Sequence, residues 1–245
     1  MNALIAFNEV HCSKETMQKQ IEILNELTFS IESGEIVTIL GPSGSGKSTI
    51  LRVLIGLDAH DRGCILFREK NILAWEIVTL RREIGMVSQI PYLFAGTVRD
   101  NILYGPRIHK QPIDNETTFV HKMMEQAGLP LELESRNASD LSVGQKMRVS
   151  LARTLANNPH VLLLDEPTAA LDPTAANQIV ELIRKLNEQH KLTLLIVTHN
   201  VDVARRLGGR SLILMDGQIV EEGSIDNLLR TASSRTKDFL EGKLP

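Results

Sequence analysis

The sequence predicts an α/β fold built on a mostly parallel sheet, and three observations carry that expectation. Short apolar runs alternate with amphipathic helical stretches along the chain. One run passes into a helix through a glycine-rich loop. Two others end on polar residues, at the strand ends where such sheets hold their ligands. With 245 residues, of which 42% are hydrophobic and 23% charged, the chain can bury a substantial core. No apolar run approaches the ~18 residues that span a bilayer. The first residues, Met1 to Phe7, lack the basic start of a secretion signal. Cys12 and Cys64 have no metal or redox spacing and read as reduced thiols of a cytosolic protein. A net charge of −3 and 4% aromatic residues argue against nucleic acid as a partner.

In chain order, residues 3 to 35 alternate as β structure, with Leu27, Phe29 and Ile31 in phase and a turn at Ser33-Gly34. Ile36 to Leu40 reads as a buried strand, and Ile50 to Leu54 as part of the helix that follows the loop. A short strand over Gly85 to Ser88 ends on Gln89. Pro91, Gly96, Gly105, Pro106 and Pro112 then punctuate a stretch without strand character. Residues 116–127 form a helix stopped by Leu129-Pro130, and another begins near Ser142 with Gln145 completing a capping box. Val149, Ala152 and Leu155 keep its period until Asn157-Asn158-Pro159. Val161 to Leu164 is a core strand that delivers Asp165-Glu166-Pro167. Asp172 then caps a helix with Pro173 at its first position and Ile179, Leu182, Ile183 and Leu186 as its buried stripe. Leu194 to Val197 is a further core strand, ending on Thr198-His199.

The loop Gly41-Pro42-Ser43-Gly44-Ser45-Gly46-Lys47-Ser48-Thr49 fits G-x-x-x-x-G-K-[ST] between a strand and a helix. Its amides can converge on phosphate oxygens, helped by the positive end of the helix. Lys47 reaches β- and γ-phosphates, and the Ser48 hydroxyl ligates Mg²⁺. Downstream, Asp165 can hold Mg²⁺ through water, while Glu166 can accept the proton of an attacking water. These residues predict a nucleoside triphosphate site.

Gln89, Leu141-Ser142-Val143-Gly144-Gln145, Ala170-Leu171-Asp172 and His199 follow in an order and at separations that resemble the ATPase subunit of ATP-binding cassette (ABC) transporters. The resemblance runs from about residue 4 to residue 230. It implies a P-loop NTPase core with an N-terminal antiparallel β subdomain and an inserted helical subdomain. The single ABC ATPase domain, 1–245, then divides into a core of about 1–91 plus 159–245 and a helical part of about 92–158. It implies Walker A at Gly41 through Thr49, Walker B at Val161 through Asp165, and Glu166 as the catalytic glutamate. Gln89 resembles the Q-loop glutamine that senses Mg²⁺ and the attacking water. His199 is similar to the switch histidine at the γ-phosphate, and Asp172 to the D-loop aspartate that works across the subunit interface. Leu141 to Gln145 resembles the signature motif, which contacts ATP held by the other subunit. The implied cofactors are ATP and Mg²⁺. The implied partners are a second copy or a homologous ATPase, integral membrane permease subunits at the cytoplasmic face, and a substrate-binding protein.

Two features depart from the family's usual pattern. Val143 replaces a common glycine, at a position where the contact runs through the backbone. Residues 8–24 hold no Phe, Tyr or Trp to stack on adenine; counting lands on Ser13 to Gln18, with His11 the ring nearby. Tyr92, Leu93 and Phe94 are expected to form an apolar socket for the permease, with Val98, Ile102 and Leu103 beside it; ordinary packing is the alternative. The run Asp100 to Ile108 resembles phosphate-importer ATPases, and Pro91 to Asn101 is similar to those of metal exporters. A soluble scaffold ATPase and a small-molecule kinase are the rival readings, the latter having no need of Ser142 or His199.

Overall fold

The computed structural model describes residues 3–15 and 20–243. Strands β1 (Ile5–Glu15) and β2 (Gln20–Ile31) pair antiparallel, and their alternation buries Ile5, Phe7, Leu27, Phe29 and Ile31 on one face. The rings of Phe7 and Phe29 stack across the pair with centroids 4.5 Å apart. The chain enters a second sheet as β3 (Ile36–Leu40) and passes into α1 (Lys47–Leu54). It returns to the first sheet as β4 (Arg62–Phe67) and β5 (Lys70–Asn71), then runs through α2 (Ile77–Glu83) to β6 (Ile84–Val87). Helices α3 (Val98–Ile108), α4 (Glu116–Gln126) and α5 (Val143–Leu155) come next, and no strand separates them. Alternation resumes with β7 (Val161–Asp165), α6 (Pro173–His190), β8 (Thr193–Thr198) and α7 (Val201–Leu207). Strands β9 (Arg210–Met215) and β10 (Gln218–Gly223) close the sheet, before α8 (Ile225–Thr231) and α9 (Ser234–Leu240).

The larger sheet has the order β10-β9-β3-β8-β7-β6, parallel except where β10 meets β9. Burial on both faces explains why β7 and β8 are continuous apolar runs rather than alternating ones. Their side chains divide with period two. Leu162, Leu164, Leu194 and Ile196 face the layer of α3 to α6, while Leu163, Leu195 and Val197 face α1 and the antiparallel sheet. No helix among the described residues is long and apolar enough to cross a membrane.

The stretch punctuated by Gly105 and Pro106 is without strand character: it is helical, α3 running on to Ile108 from a capping box between Thr97 and Asp100. Gly105 packs closely on the Asn157 side chain: a Cβ there would lie 2.2 Å from Asn157 Oδ1. Val98, Ile102 and Leu103, expected beside an exposed socket, are fully buried against α4 and α5. They are the inner face of α3, so the ordinary-packing alternative holds for these three.

Candidate active site

The site lies along the carboxyl ends of β3, β8 and β7, which are adjacent in that order. The loop after β3 turns through Gly44 at φ +81° and Gly46 at φ +103°, left-handed conformations that favour glycine. A Cβ on Gly46 would come within 2.9 Å of the Ile23 carbonyl oxygen, so the loop is wedged against β2. Among the α-helices of the described residues, α1 is the one whose N-terminus has no side-chain cap; α2 through α9 each have one. Its first amides therefore stay available to an anion. Ser45 Oγ is buried without a hydrogen-bond partner in the same loop, a polar atom consistent with a ligand that completes it.

Lys47 is 8% exposed and folds back so that Nζ donates to the carbonyls of Gly41 at 2.7 Å and Pro42 at 2.8 Å. Burial pushes its pKa down, against the opposing pull of Glu166 and Asp165. Two residues 117 positions apart meet where Ser48 Oγ donates to Asp165 Oδ1 at 2.9 Å. Burial raises the Asp165 pKa, with the Ser48 hydrogen bond working the other way. A hydroxyl and a carboxylate so placed are the hard oxygen donors that Mg²⁺ takes.

Glu166 has φ +45°, and its N–H donates to the Val197 carbonyl at 2.9 Å, which keeps it beside the end of β8. Its Oε1 lies 2.8 Å from His199 Nδ1. Its Oε2 accepts from Thr198 Oγ1 at 3.1 Å. In the sequence Thr198 is merely the end of a strand; the register that brings it to Glu166 is a property of the folded sheet.

Lys47, Ser48, Asp165, Glu166 and His199 thus converge, as expected from the motifs. Gln89 is exposed two residues beyond β6, the neighbour of β7. Ser142 and Asp172 serve their own helices. Ser142 Oγ accepts from the Gln145 N–H while Gln145 Oε1 accepts from the Ser142 N–H, the expected capping box. Asp172 Oδ1 accepts from the N–H groups of Thr174 and Ala175. Leu141 is buried, whereas Val143 is 47% exposed, so its larger side chain meets no packing obstacle. Of the expected base-stacking stretch, residues 16–18 lie outside the described residues. His11 Nδ1 sits 2.8 Å from Glu22 Oε1, pairing β1 with β2.

The chain is similar to known proteins over most of its length. The family model described as ABC transporter matches residues 24–169. The chain is 40% identical to ABC transporter I family member 17 of Arabidopsis thaliana, over 89% of this chain and 82% of that protein. It is 37% identical to the phosphate import ATP-binding protein PstB of Borreliella burgdorferi, over 96% of each. A solved dimeric ATP-binding cassette in a post-hydrolysis state, bound to ADP and Pi, superposes with a TM-score of 0.81. That similarity has 30% identity and covers 90% of this chain and 98% of the other.

Proposed function

This chain belongs to the ABC transporter family, and from that premise we propose how its residues divide the work of an ATP-hydrolysing subunit. Two copies, or one copy and a homologous ATPase, enclose two MgATP and drive a separate membrane permease from the cytoplasmic face. Residues 41–46 and the open end of α1 cradle the phosphates. Lys47 exchanges the carbonyls of Gly41 and Pro42 for β- and γ-phosphate oxygens. Ser48 and Asp165 would hold Mg²⁺, with Gln89 approaching from β6; the ion neutralises charge on the phosphate oxygens.

Glu166 accepts the proton of the attacking water, a role typically worth about 10²–10⁴ in rate. His199 holds Glu166 Oε1 through Nδ1 and directs its other ring nitrogen to the γ-phosphate. Ser142, with the amides of Val143 and Gly144, meets the nucleotide bound by the opposite subunit, and Asp172 lies at the same interface. Residues 92–158 act as a helical subdomain set on the core formed by 1–91 and 159–245.

The permease docks on the aromatic group just beyond Gln89. Tyr92, Phe94 and Tyr104 are 74%, 37% and 42% exposed. Phe94 stacks on Tyr104 at 4.0 Å, and the Arg153 guanidinium lies 4.9 Å over Phe94. Buried Asn101 fixes the backbone beneath them by accepting from the Phe94 N–H and donating to the Phe94 and Thr97 carbonyls. A substrate-binding protein outside the membrane completes an importer; similarity to a phosphate-import ATPase supports that direction.

The observation that carries the reading is the pairing of Ser48 with Asp165 and Glu166 with His199 beside an uncapped helix end. Glu166→Gln keeps the side-chain shape but cannot take the water's proton. We expect turnover to fall by at least about 10²-fold while ATP binding persists. Sedimentation with MgATP should show a species near twice 27.3 kDa. A fully active, strictly monomeric variant overturns both the base and the enclosed dimer.

A further inference from the structure

The carboxylate of Glu166 is held from two sides, and one of the two holders is a residue that the motifs leave unassigned. Thr198 is the last residue of β8 and is fully buried. It pairs with Leu40 at the end of β3, next to the phosphate loop, while Val197 before it pairs with Asp165 at the end of β7. Its backbone therefore lies between the strands that carry the two halves of the site. The interior of β8, Leu194 to Val197, is apolar, so a hydroxyl at its buried end needs hydrogen-bond partners.

Both partners are present. Thr198 Oγ1 accepts from the Asn200 N–H at 3.1 Å and lies 3.1 Å from Glu166 Oε2. A hydroxyl carries a single proton, and the amide occupies one of its lone pairs. The proton is thus free to point at the carboxylate. Glu166 has a backbone conformation, φ +45°, that L-residues adopt rarely, which fits a carboxyl group placed by its surroundings.

We infer that Thr198 is a positioning residue for ATP hydrolysis: its buried hydroxyl clamps Glu166 Oε2 and leaves Oε1 facing His199 and the attacking water. This rests on Glu166 being the base. One hydrogen bond from Thr198 and one from His199 remove the rotation that a lone glutamate retains. Proton abstraction demands that alignment, and nucleotide binding does not. His199 side-chain exposure is 60%, so the buried Thr198 is the more sheltered of the two anchors.

The test compares Thr198→Val, which keeps the shape and removes the hydroxyl, with Thr198→Ser, which keeps the hydroxyl and removes the methyl. Steady-state ATPase assays should show kcat of Thr198→Val lowered about 10- to 100-fold at an unchanged KM for ATP. Thr198→Ser should stay within about threefold of the parent, because the hydroxyl alone does the positioning. In a Glu166→Gln background, Thr198→Val should cause no further loss. Should Thr198→Val not fold, Thr198→Cys gives the same ordering, since a thiol is a weak donor of similar size.

Full activity in Thr198→Val overturns the inference, as does a serine variant as impaired as the valine one. So does a loss that appears in KM alone. If Glu166→Gln itself retains full turnover, the assignment of the base has failed. If Glu166→Gln is inactive and Thr198→Val is not, the positioning role alone has failed.

Discussion

Two helix N-termini in this molecule use the same physics and stand in opposite states. At α1 a glycine, Gly46, occupies the cap position and no side chain closes the end. At α5 Ser142 and Gln145 close it reciprocally. Both ends carry the partial positive charge of aligned peptide dipoles. The first end is enclosed by β2 and β9: a Cβ on Gly41 would lie 2.1 Å from the Leu214 carbonyl oxygen. The second is on the surface, with Ser142 and Val143 exposed. The contrast teaches that an anion site can be complete within one chain when the fold surrounds an open helix end. A satisfied, exposed end is stable alone and gains a ligand only when another surface presents one.

The largest effect should come from breaking the enclosed end. Lys47→Ala removes the buried ammonium that α1 contributes, a charge-assisted contact. Titration with a fluorescent ATP analogue should show affinity lowered by about 10²-fold, equivalent to ~2.7 kcal/mol. Equal affinity for variant and parent would remove α1 from the phosphate site.

Breaking the exposed end should separate binding from turnover. Ser142→Arg is expected to leave ATP affinity of the isolated subunit within about threefold, while hydrolysis falls at least about tenfold. Mixing this protein with Lys47→Ala protein sharpens the comparison, because both defects can segregate into one composite site. Activity above that of either variant alone is the expected outcome. Its absence, with mixed dimers demonstrated by differential tagging, contradicts the two-subunit site.

The smallest effect concerns stability. Burial raises the Asp165 pKa, so the fold works against the ionised carboxylate near neutral pH. That penalty disappears below the unfolded aspartate range, where the group is protonated in both states, and grows as pH rises through it. Asp165→Asn should therefore raise the Tm of the nucleotide-free protein at pH 7, with the gain vanishing in acid, while MgATP turnover is lost. A thermal shift of the opposite sign at neutral pH would show that Ser48 and Lys47 more than compensate for the burial.

The sequence made local devices legible. The glycines of the phosphate loop, the Ser142–Gln145 box and the Asp172 cap with Pro173 are signals written within a few residues, and each forms where expected. The apolar runs of β3, β7 and β8 also stand out, since burial on two faces leaves few polar positions in them. What covers a face is harder to read. Val98, Ile102 and Leu103 show helical spacing, but spacing identifies a stripe without saying whether α5 or a partner lies on it. That the stretch holding Gly105 and Pro106 is a helix is equally hidden, because the close approach of Gly105 to Asn157 exists only after packing. The Thr198–Glu166 contact was illegible for the same reason. It depends on the register of β8 against β7, which no local pattern encodes.

The order of strands has a consequence for how the protein comes into being. Ser48 opens the helix that follows β3 and Asp165 ends β7, and those two strands do not touch, because β8 runs between them. Yet β8 is the last of the three to be made, and chains emerge from the ribosome N-terminus first. A nascent chain that stops short of Thr193 holds its phosphate loop and its acidic pair without the strand that brings them together. In the emerging chain the contact between Ser48 and Asp165 therefore waits until the middle of the sheet has been filled.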